Sequence, residues 1–265
     1  MRDRRGAGDR PAGFRDSLDT RQNLSSTVSA DGCVNKARRI CEVTVRHCAT
    51  RASSNAAIES TGGYWAMNQA EIIRTQERIG TEGDGFWGPI SIAACQHYLK
   101  SMMPSPHFFP VEGSPEFLAF YGRHGEKNGY TPPSKKIKLP FEIFYDQTPV
   151  TELRVHEKCA DSLLRVFQRL EVIYPDNSSR QAAGILVYNG LYNPRLKRGS
   201  SSSWSMHAWM NAIDINAGKN GNKTSWPVTA TMPIEVMECF AQEGWLPAGA
   251  FWGRDAMHFQ ATAPL

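Results

Sequence analysis

The sequence predicts an α+β fold in which a small antiparallel sheet is flanked by helices and preceded by a small helical module. Two observations lead to this class. Helical spacing of apolar residues dominates from residue 68 to about residue 173, and short alternating or apolar stretches follow after residue 184. Helices first and short strands later are typical of a sheet with antiparallel strands. The 265 residues, of which 41% are hydrophobic, can bury a sizeable core.

The first predicted helix begins at Asn68. Asn68 and Glu71 have the spacing of an N-cap pair, and Gly80 is a typical helix end. The apolar face of this helix consists of Ile72, Ile73 and Ile79. A second helix is predicted from Pro89, because proline is favoured in a first helical turn. Its apolar side consists of Ile92, Ala93 and Leu99. Residues 101–115 carry four prolines and therefore predict a linker.

The second half of the chain supplies two further helices and three short strands. Apolar residues from Val155 to Leu170 recur at helical spacing and predict an amphipathic helix over about 152–173. Residues 233–240 predict another helix, with Gly244 as its C-terminal stop. The strands are predicted at 184–189, 211–216 and 257–261.

The charge distribution argues against a nucleic-acid partner. The formal net charge is +4, but residues 1–60 hold 11 basic and 7 acidic side chains, and residues 61–265 hold 19 of each. The surplus therefore belongs to the leader and not to the body of the protein. The basic leader, residues 1–62, has little periodicity, and we expect it to be disordered.

Neither a membrane protein nor a secreted disulfide scaffold is indicated. No apolar run approaches the roughly 18 residues of a membrane-spanning helix. The basic N-terminal residues are followed by no apolar stretch, so we expect no signal peptide. Six scattered cysteines without a CxxC pair predict reduced, mostly buried thiols.

Two histidines lie in stretches that indicate a metal site. His207 and Asp214 are seven residues apart, and the alternation around Asp214 predicts a strand with Ile213 and Ile215 facing the core. His207 converges with Asp214 only if it lies in a bend before this strand; otherwise the two residues are unrelated. His258 can supply a third ligand, because catalytic zinc takes three protein ligands from histidines and carboxylates.

Asp255, three residues before His258, places a second carboxylate close by. A carboxylate beside zinc-bound water can take a proton from it and later hand that proton to the leaving amine. The alternative is that Asp255 orients a ligand histidine.

Together these motifs resemble a known family. The pattern Ser-x-His-x6-Asp, followed about 40 residues later by Asp-x-x-His-Phe, resembles the zinc D-alanyl-D-alanine carboxypeptidase and L-alanyl-D-glutamate endopeptidase family, which includes many phage endolysins. Residues 192–199 (YNPRLKRG) resemble the arginine-bearing loop of the family. Phe240, Gly244-Trp245 and residues 251–253 resemble its approach to the last ligand. The resemblance covers roughly residues 150–263.

The resemblance implies a role for each site residue. His207, Asp214 and His258 would bind one zinc ion, and Asp255 would be the general base. Arg195 would bind a substrate carboxylate or stabilise the oxyanion. Arg198 is the alternative for that role.

Two positions depart from the family pattern. The family usually has glycine three residues after the first ligand, where this chain has Met210, and it usually has glutamate where this chain has Gln260. Neither departure removes a ligand or the base, so we expect activity. Both affect the shape of the subsites, so the bond that is cleaved stays open among L-Ala–D-Glu, D-Ala–D-Ala and a crosslink.

An earlier stretch resembles a second family. Gln76-Glu-Arg-Ile-Gly80, followed by residues 84–93 (DGFWGPISIA), resembles a peptidoglycan-binding domain of the small three-helix type over about residues 66–100. In physical terms, Asp-Gly makes a tight turn and Gly-Pro opens the next helix. We interpret these residues as structural signatures and assign no saccharide contact to any of them.

The two resemblances predict the domain organisation. We expect a leader over residues 1–62, a peptidoglycan-binding helical module over 63–103, a Pro-rich linker leading into the next domain over 104–150, and a zinc peptidase domain over 151–265.

The predicted function is that of an endolysin-like peptidoglycan hydrolase, which cleaves an amide bond in the stem peptide or crosslink of the bacterial cell wall. Tethering to the wall polymer would raise the local concentration of the catalyst. The alternatives are a non-catalytic peptidoglycan-binding protein with a decayed peptidase domain and a glycan-cleaving lysozyme. We expect a monomer whose partner is bacterial peptidoglycan, made in the bacterial cytoplasm and acting at the cell wall or periplasm.

Overall fold

The computed structural model of the chain describes residues 65–265, with side chains from Asn68 onward. These residues lie within one compact unit, Glu59–Leu265. The predicted leader, residues 1–62, lies outside the described residues. In the part of the chain that is described, every helix is too short or too polar to cross a membrane.

The fold mixes helices with small antiparallel sheets, in agreement with the α+β prediction. The α-helices are α1 (Trp65–Ile79), α2 (Pro89–Met102), α3 (Pro115–Tyr121), α4 (Ala160–Ile173), α5 (Asn177–Ala183), α6 (Ala217–Asn220), α7 (Ile234–Gln242) and α8 (Ala248–Trp252). The strands are β1 (Ser134–Tyr145), β2 (Thr148–His156), β3 (Tyr188–Gly190), β4 (Ala212–Ile215), β5 (Leu246–Pro247) and β6 (His258–Gln260). A short 3-10 helix covers Met206–Trp209.

Helix α1 starts earlier than the sequence predicts. It begins at Trp65, so Asn68 lies inside the helix and is not its N-cap. The Asn68 side-chain amide instead donates a hydrogen bond to the carbonyl of Val228. The helix ends where predicted, since Gly80 has φ +81°, the left-handed conformation that glycine favours after a helix.

Helix α2 starts at Pro89 as predicted, but its buried face is different. Ser91, Cys95 and Leu99 are buried, whereas Ile92 and Ala93 are exposed. The reason is tertiary: α2 packs against α1 and α7 with the face that carries Cys95, and the residues next to that face in sequence point to solvent.

The segment 104–150 contains structure that the sequence analysis did not predict. It holds α3 and most of a long hairpin, in which β1 and β2 pair antiparallel from Ser134 with His156 to Tyr145 with Thr148. Residues 152–156, predicted to begin a helix, are the end of β2, and α4 begins only at Ala160. That part of the helix prediction is wrong.

A second sheet of four strands has the antiparallel order β3-β4-β6-β5. Its two central strands lie at the positions predicted near 211–216 and 257–261. The prediction at 184–189 is only partly right, because residues 184–186 form a turn and β3 begins at Tyr188. Phe240 of α7 stacks on Phe259 of β6 with 3.8 Å between ring centroids, and this contact fixes the helix on the sheet.

Ion pairs join α1 to α7, and a hydrogen bond joins α2 to the same helix. Arg74 pairs with Glu235 at 2.5 Å, and Arg78 pairs at 2.5 Å with Glu238, whose side chain is 7% exposed. Tyr98 of α2 donates a hydrogen bond to the same Glu238 carboxylate at 2.9 Å. The first two helices therefore pack directly on the C-terminal half. The module boundaries after residues 62, 103 and 150 stay predictions.

Candidate metal centre

His207 lies in a bend that leads into the central strand β4. It belongs to the 3-10 helix Met206–Trp209, and Met210 ends this helix with φ +56°. Glycine adopts this left-handed conformation with less strain than other residues do. This accounts for the glycine that the resembled family usually has at this position. The bend turns His207 back toward the strand that follows it, as its convergence with Asp214 requires.

Asp214 and His258 face each other across two neighbouring strands. They are paired residues in the antiparallel register of β4 and β6. One oxygen of Asp214, Oδ1, lies 3.0 Å from His258 Nδ1 and 3.2 Å from His207 Nε2. The two imidazole nitrogens are themselves 3.2 Å apart. Sheet pairing and the preceding bend thus bring all three predicted ligands to one point.

This donor set fits a zinc ion. One ligand atom each from His207, Asp214 and His258 lies within 4.8 Å of the others, and both histidines are buried. Two imidazole nitrogens and a carboxylate oxygen are typical of catalytic zinc, and zinc–nitrogen bonds of about 2.0–2.1 Å in a tetrahedral arrangement place two nitrogens roughly 3.3 Å apart. The observed nitrogen separation is close to that value.

Each histidine makes a hydrogen bond through the ring nitrogen that faces away from the centre. His207 Nδ1 lies 2.9 Å from the carbonyl oxygen of Leu191, and His258 Nε2 lies 3.1 Å from the side-chain oxygen of Gln260. A backbone carbonyl only accepts, so His207 Nδ1 donates to Leu191, and Nε2 is the ring nitrogen that faces Asp214 and the centre. Such contacts orient imidazole rings for metal binding.

The electrostatics of the centre keep Asp214 ionised. Burial acts to raise the pKa of Asp214, but hydrogen bonds from His207 and His258 outweigh it and hold the pKa well below its ordinary value. Burial acts to lower the pKa of His258, and the adjacent Asp214 carboxylate outweighs it and raises that pKa. Asp214 therefore supplies a negative charge at the point where the two histidine rings converge.

Asp255 lies beside the centre on the turn before β6. Its backbone has φ +59°, and its carbonyl accepts the His258 N–H at 2.9 Å. Its side chain lines the same cleft as the three candidate ligands, and Oδ1 is buried with no hydrogen-bond partner among the described residues. Burial and the nearby Asp214 raise its pKa against the opposing charges of the histidines and Arg198. A half-buried carboxyl group that lines a cleft is suited to proton transfer.

The cleft has a volume of about 450 Å³ and a basic rim. Arg195 lines it with a half-buried side chain that donates to the carbonyl of Leu196 at 3.1 Å. Arg198 also lines the cleft and is exposed, and its charge acts on the pKa of Asp255. Both predicted arginines therefore reach the site, with Arg198 electrostatically coupled to the predicted base.

Other residues of the cleft were missed by the sequence reasoning. Arg254 lines it directly before Asp255, and no motif marks its charge as part of a site. Trp252 stacks on His258 with 5.6 Å between ring centroids. The sequence places Trp252 in the aromatic stretch 251–253 but carries no signal for its contact with His258.

A family model described as D-alanyl-D-alanine carboxypeptidase matches residues 198–261. The match covers less than half of the chain; it includes His207, Asp214, Asp255 and His258 and begins after Arg195. No curated protein and no solved structure matches the chain. The fold, the His-Asp-His centre and this match together support a hydrolase of the metallopeptidase class. The region is similar to zinc peptidases that act on peptidoglycan.

Proposed function

We propose that this protein is a zinc-dependent peptidoglycan hydrolase, of the type of endolysins, that cleaves an amide bond in the stem peptide or crosslink of the bacterial cell wall. The observation that carries the proposal is the convergence of His207, Asp214 and His258 within 4.8 Å, inside the stretch that matches the carboxypeptidase family. The cleft beside this centre is open to solvent and large enough for a short peptide segment.

The chain supplies three functions to the reaction. His207, Asp214 and His258 would hold one zinc ion, which when bound acts as a Lewis acid and lowers the pKa of water to about 7. Asp255 takes a proton from the attacking water as the hydroxyl group adds to the amide carbon. It then donates that proton to the leaving nitrogen when the carbon–nitrogen bond breaks, so that water is consumed and no proton is lost.

The basic rim of the cleft would bind the acidic parts of the substrate. Stem peptides carry free carboxylates, and guanidinium groups bind carboxylates through paired hydrogen bonds. We assign this role to Arg195, with Arg198 as the alternative. The same positive charge would stabilise the oxyanion that develops on the scissile carbonyl.

Residues 63–103 would form the peptidoglycan-binding module, joined through residues 104–150 to the peptidase domain over 151–265. The motif residues have structural roles that agree with this assignment. The buried Gln76 side chain donates to Asp84 at 2.7 Å and to Ser91 at 3.0 Å, and it accepts from the Gly85 N–H at 2.9 Å. It thereby ties the loop between α1 and α2 to both helices. We propose a monomer that is made in the bacterial cytoplasm and acts at the cell wall or periplasm, with no nucleic-acid partner.

The test is digestion of purified bacterial sacculi followed by mass spectrometry of the soluble fragments. The protein with one equivalent of zinc is expected to release fragments with new amino termini, whose masses identify the bond that is cleaved. Chelator-treated protein and the His207→Ala variant, which loses a ligand, are expected to release none. New reducing ends without new amino termini would show a glycosidase, and no release by zinc-loaded protein would show a wall-binding protein without activity. Either result refutes the proposal.

A further inference from the structure

The side chain of Gln260 connects the candidate metal centre to a residue far away in sequence. Gln260 Oε1 lies 3.1 Å from His258 Nε2, and Gln260 Nε2 lies 2.9 Å from Glu112 Oε2 and 2.7 Å from Thr262 Oγ1. Gln260 and Thr262 are buried. The other oxygen of Glu112 pairs with Lys197. A continuous chain of hydrogen bonds therefore runs from the outer side of His258 to a charged pair at the edge of the cleft.

Donor and acceptor chemistry fixes the orientation of this amide. An ionised carboxylate only accepts hydrogen bonds, so the NH2 group of Gln260 must face Glu112. Its oxygen must then face His258, whose Nε2 must carry a hydrogen. The hydroxyl group of Thr262 can donate or accept, so it does not determine the orientation by itself. With the hydrogen held on Nε2, the Nδ1 atom of His258 is left to face Asp214 and the centre.

We propose that Glu112 and Gln260 are positioning residues of the metal centre: Glu112 orients the Gln260 amide, and this amide holds the His258 imidazole with Nδ1 directed at the metal. The inference rests on the proposed function, because it assumes that the centre binds zinc. Glu112 belongs to the segment 104–150, so the segment predicted to be a linker contributes to the centre.

This arrangement also accounts for glutamine at a position where the resembled family usually has glutamate. Glu112 already lies 2.9 Å from the side chain of residue 260. A carboxylate at residue 260 would bring two like charges within hydrogen-bond distance of each other, which is unfavourable. An amide there accepts from His258 and donates to Glu112, so both contacts are satisfied.

The inference is tested by measuring the zinc affinity of the full chain in competition with a chromophoric chelator. Gln260→Leu removes the acceptor for His258, and Glu112→Ala leaves the Gln260 amide free to rotate. Loss of such an outer contact typically weakens metal binding about 10- to 100-fold, and we expect a loss in this range for both variants. The visible spectrum of the cobalt-substituted proteins gives a second readout, since it reports the geometry of the ligands.

Two further proteins make the test specific. The double variant Gln260→Glu with Glu112→Gln exchanges the carboxylate and the amide. The side chain of residue 260 can then still accept a hydrogen bond from His258, and the amide at residue 112 can donate one to the carboxylate at residue 260. This double variant is expected to bind zinc within about threefold of the wild type, as a coupled pair should. Glu152→Ala is the matched control, because it breaks an exposed ion pair with Lys136 on the β1–β2 hairpin. It is expected to leave zinc affinity unchanged.

The outcomes separate this inference from the proposed function. Wild-type protein that fails to bind one equivalent of zinc would overturn the metal centre and with it the inference. Wild-type protein that binds zinc while Gln260→Leu and Glu112→Ala bind it equally well would overturn only the inference. A double variant that binds as weakly as the single variants would overturn it too. Thermal melting of the zinc-free proteins sets a temperature at which all of them are folded, and affinities are compared there.

Discussion

Replacing Asp255 with asparagine tests the assignment of the general base with little disturbance of the fold. Its Oδ1 atom has no hydrogen-bond partner among the described residues, so the change breaks no contact of that atom. Its backbone has φ +59°, which asparagine adopts readily and alanine adopts only at a cost of about 1–2 kcal/mol. Asp255→Asn is therefore a cleaner test than Asp255→Ala.

The expected loss of activity is large and the expected loss of stability is small. A positioned general base contributes about 10²- to 10⁴-fold to a rate, which is roughly 3–5 kcal/mol of transition-state stabilisation at 1.36 kcal/mol for each factor of ten. Burial raises the pKa of the Asp255 carboxyl group, so a neutral amide removes an unfavourable buried charge. The melting temperature of Asp255→Asn should therefore not fall. Zinc should stay bound, since all three ligands are unchanged.

The assay is the initial rate of fragment release from sacculi, measured beside zinc content by elemental analysis. Asp146→Asn is the matched control, because Asp146 also has a positive φ, of 46°, but lies exposed in the hairpin turn between β1 and β2. It should keep full activity. Zinc-loaded Asp255→Asn that retains more than about a third of the wild-type rate would refute the role of Asp255 as base. Loss of zinc from this variant would show instead that Asp255 helps to hold the metal.

Three further predictions concern the packing around the site. Arg78→Met removes the guanidinium from the buried Glu238 carboxylate and is expected to lower the free energy of unfolding by about 2–4 kcal/mol in urea titrations. Lys136→Met removes one partner of an exposed ion pair and should change the free energy of unfolding by less than about 0.5 kcal/mol. Equal effects of the two changes would contradict the docking of α1 on α7. At residue 210, where φ is +56°, Met210→Gly should be more stable than Met210→Ala by about 1 kcal/mol, the reverse of their order within a helix. Burial acts to raise the pKa of Glu235, but the paired arginines outweigh burial and lower that pKa below the ordinary value of 4.5. The ionised Glu235 carboxylate therefore stabilises the fold at neutral pH, and this stabilisation is lost as the pH falls through the lowered pKa. Glu235→Gln should accordingly destabilise the protein at pH 7, and the difference from wild type should shrink in acid; a difference that grows in acid would contradict the assignment.

The three candidate ligands could be singled out from the sequence because their signals are local. Strand alternation around Asp214 places its side chain opposite to Ile213 and Ile215, and both isoleucines are buried as expected. The bend that brings in His207 lies within the same stretch, and His258 lies within a second short strand. The structure brings together the three residues that these patterns singled out.

The β1–β2 hairpin could not be predicted, because the apolar spacing at its end is also that of a helix and its turn has no typical turn sequence. Val155 is buried on β2 and Cys159 is buried after it, and their spacing continues the helical pattern of α4. This coincidence extended the predicted helix into the strand. The turn at Asp146 and Gln147 has two residues of positive φ but lacks the glycine that would indicate a hairpin turn in the sequence.

Glu112 could not be connected to the centre by any pattern in the sequence. It stands in a proline-rich stretch 148 residues away from Gln260. Only the tertiary fold brings the two side chains together, and local spacing carries no information about such a contact.

The geometry of the centre depends on the same packing that builds the core. Ile213 and Phe259 are paired in the register of β4 and β6, and both are fully buried. A slip of one residue would turn these apolar side chains outward and the ligands inward, at a high cost in buried surface. Because the next pair in this register is Asp214 with His258, the hydrophobic core fixes the position of two candidate ligands without any contribution from a metal. A site that is positioned in this way should keep its strand pairing when zinc is removed.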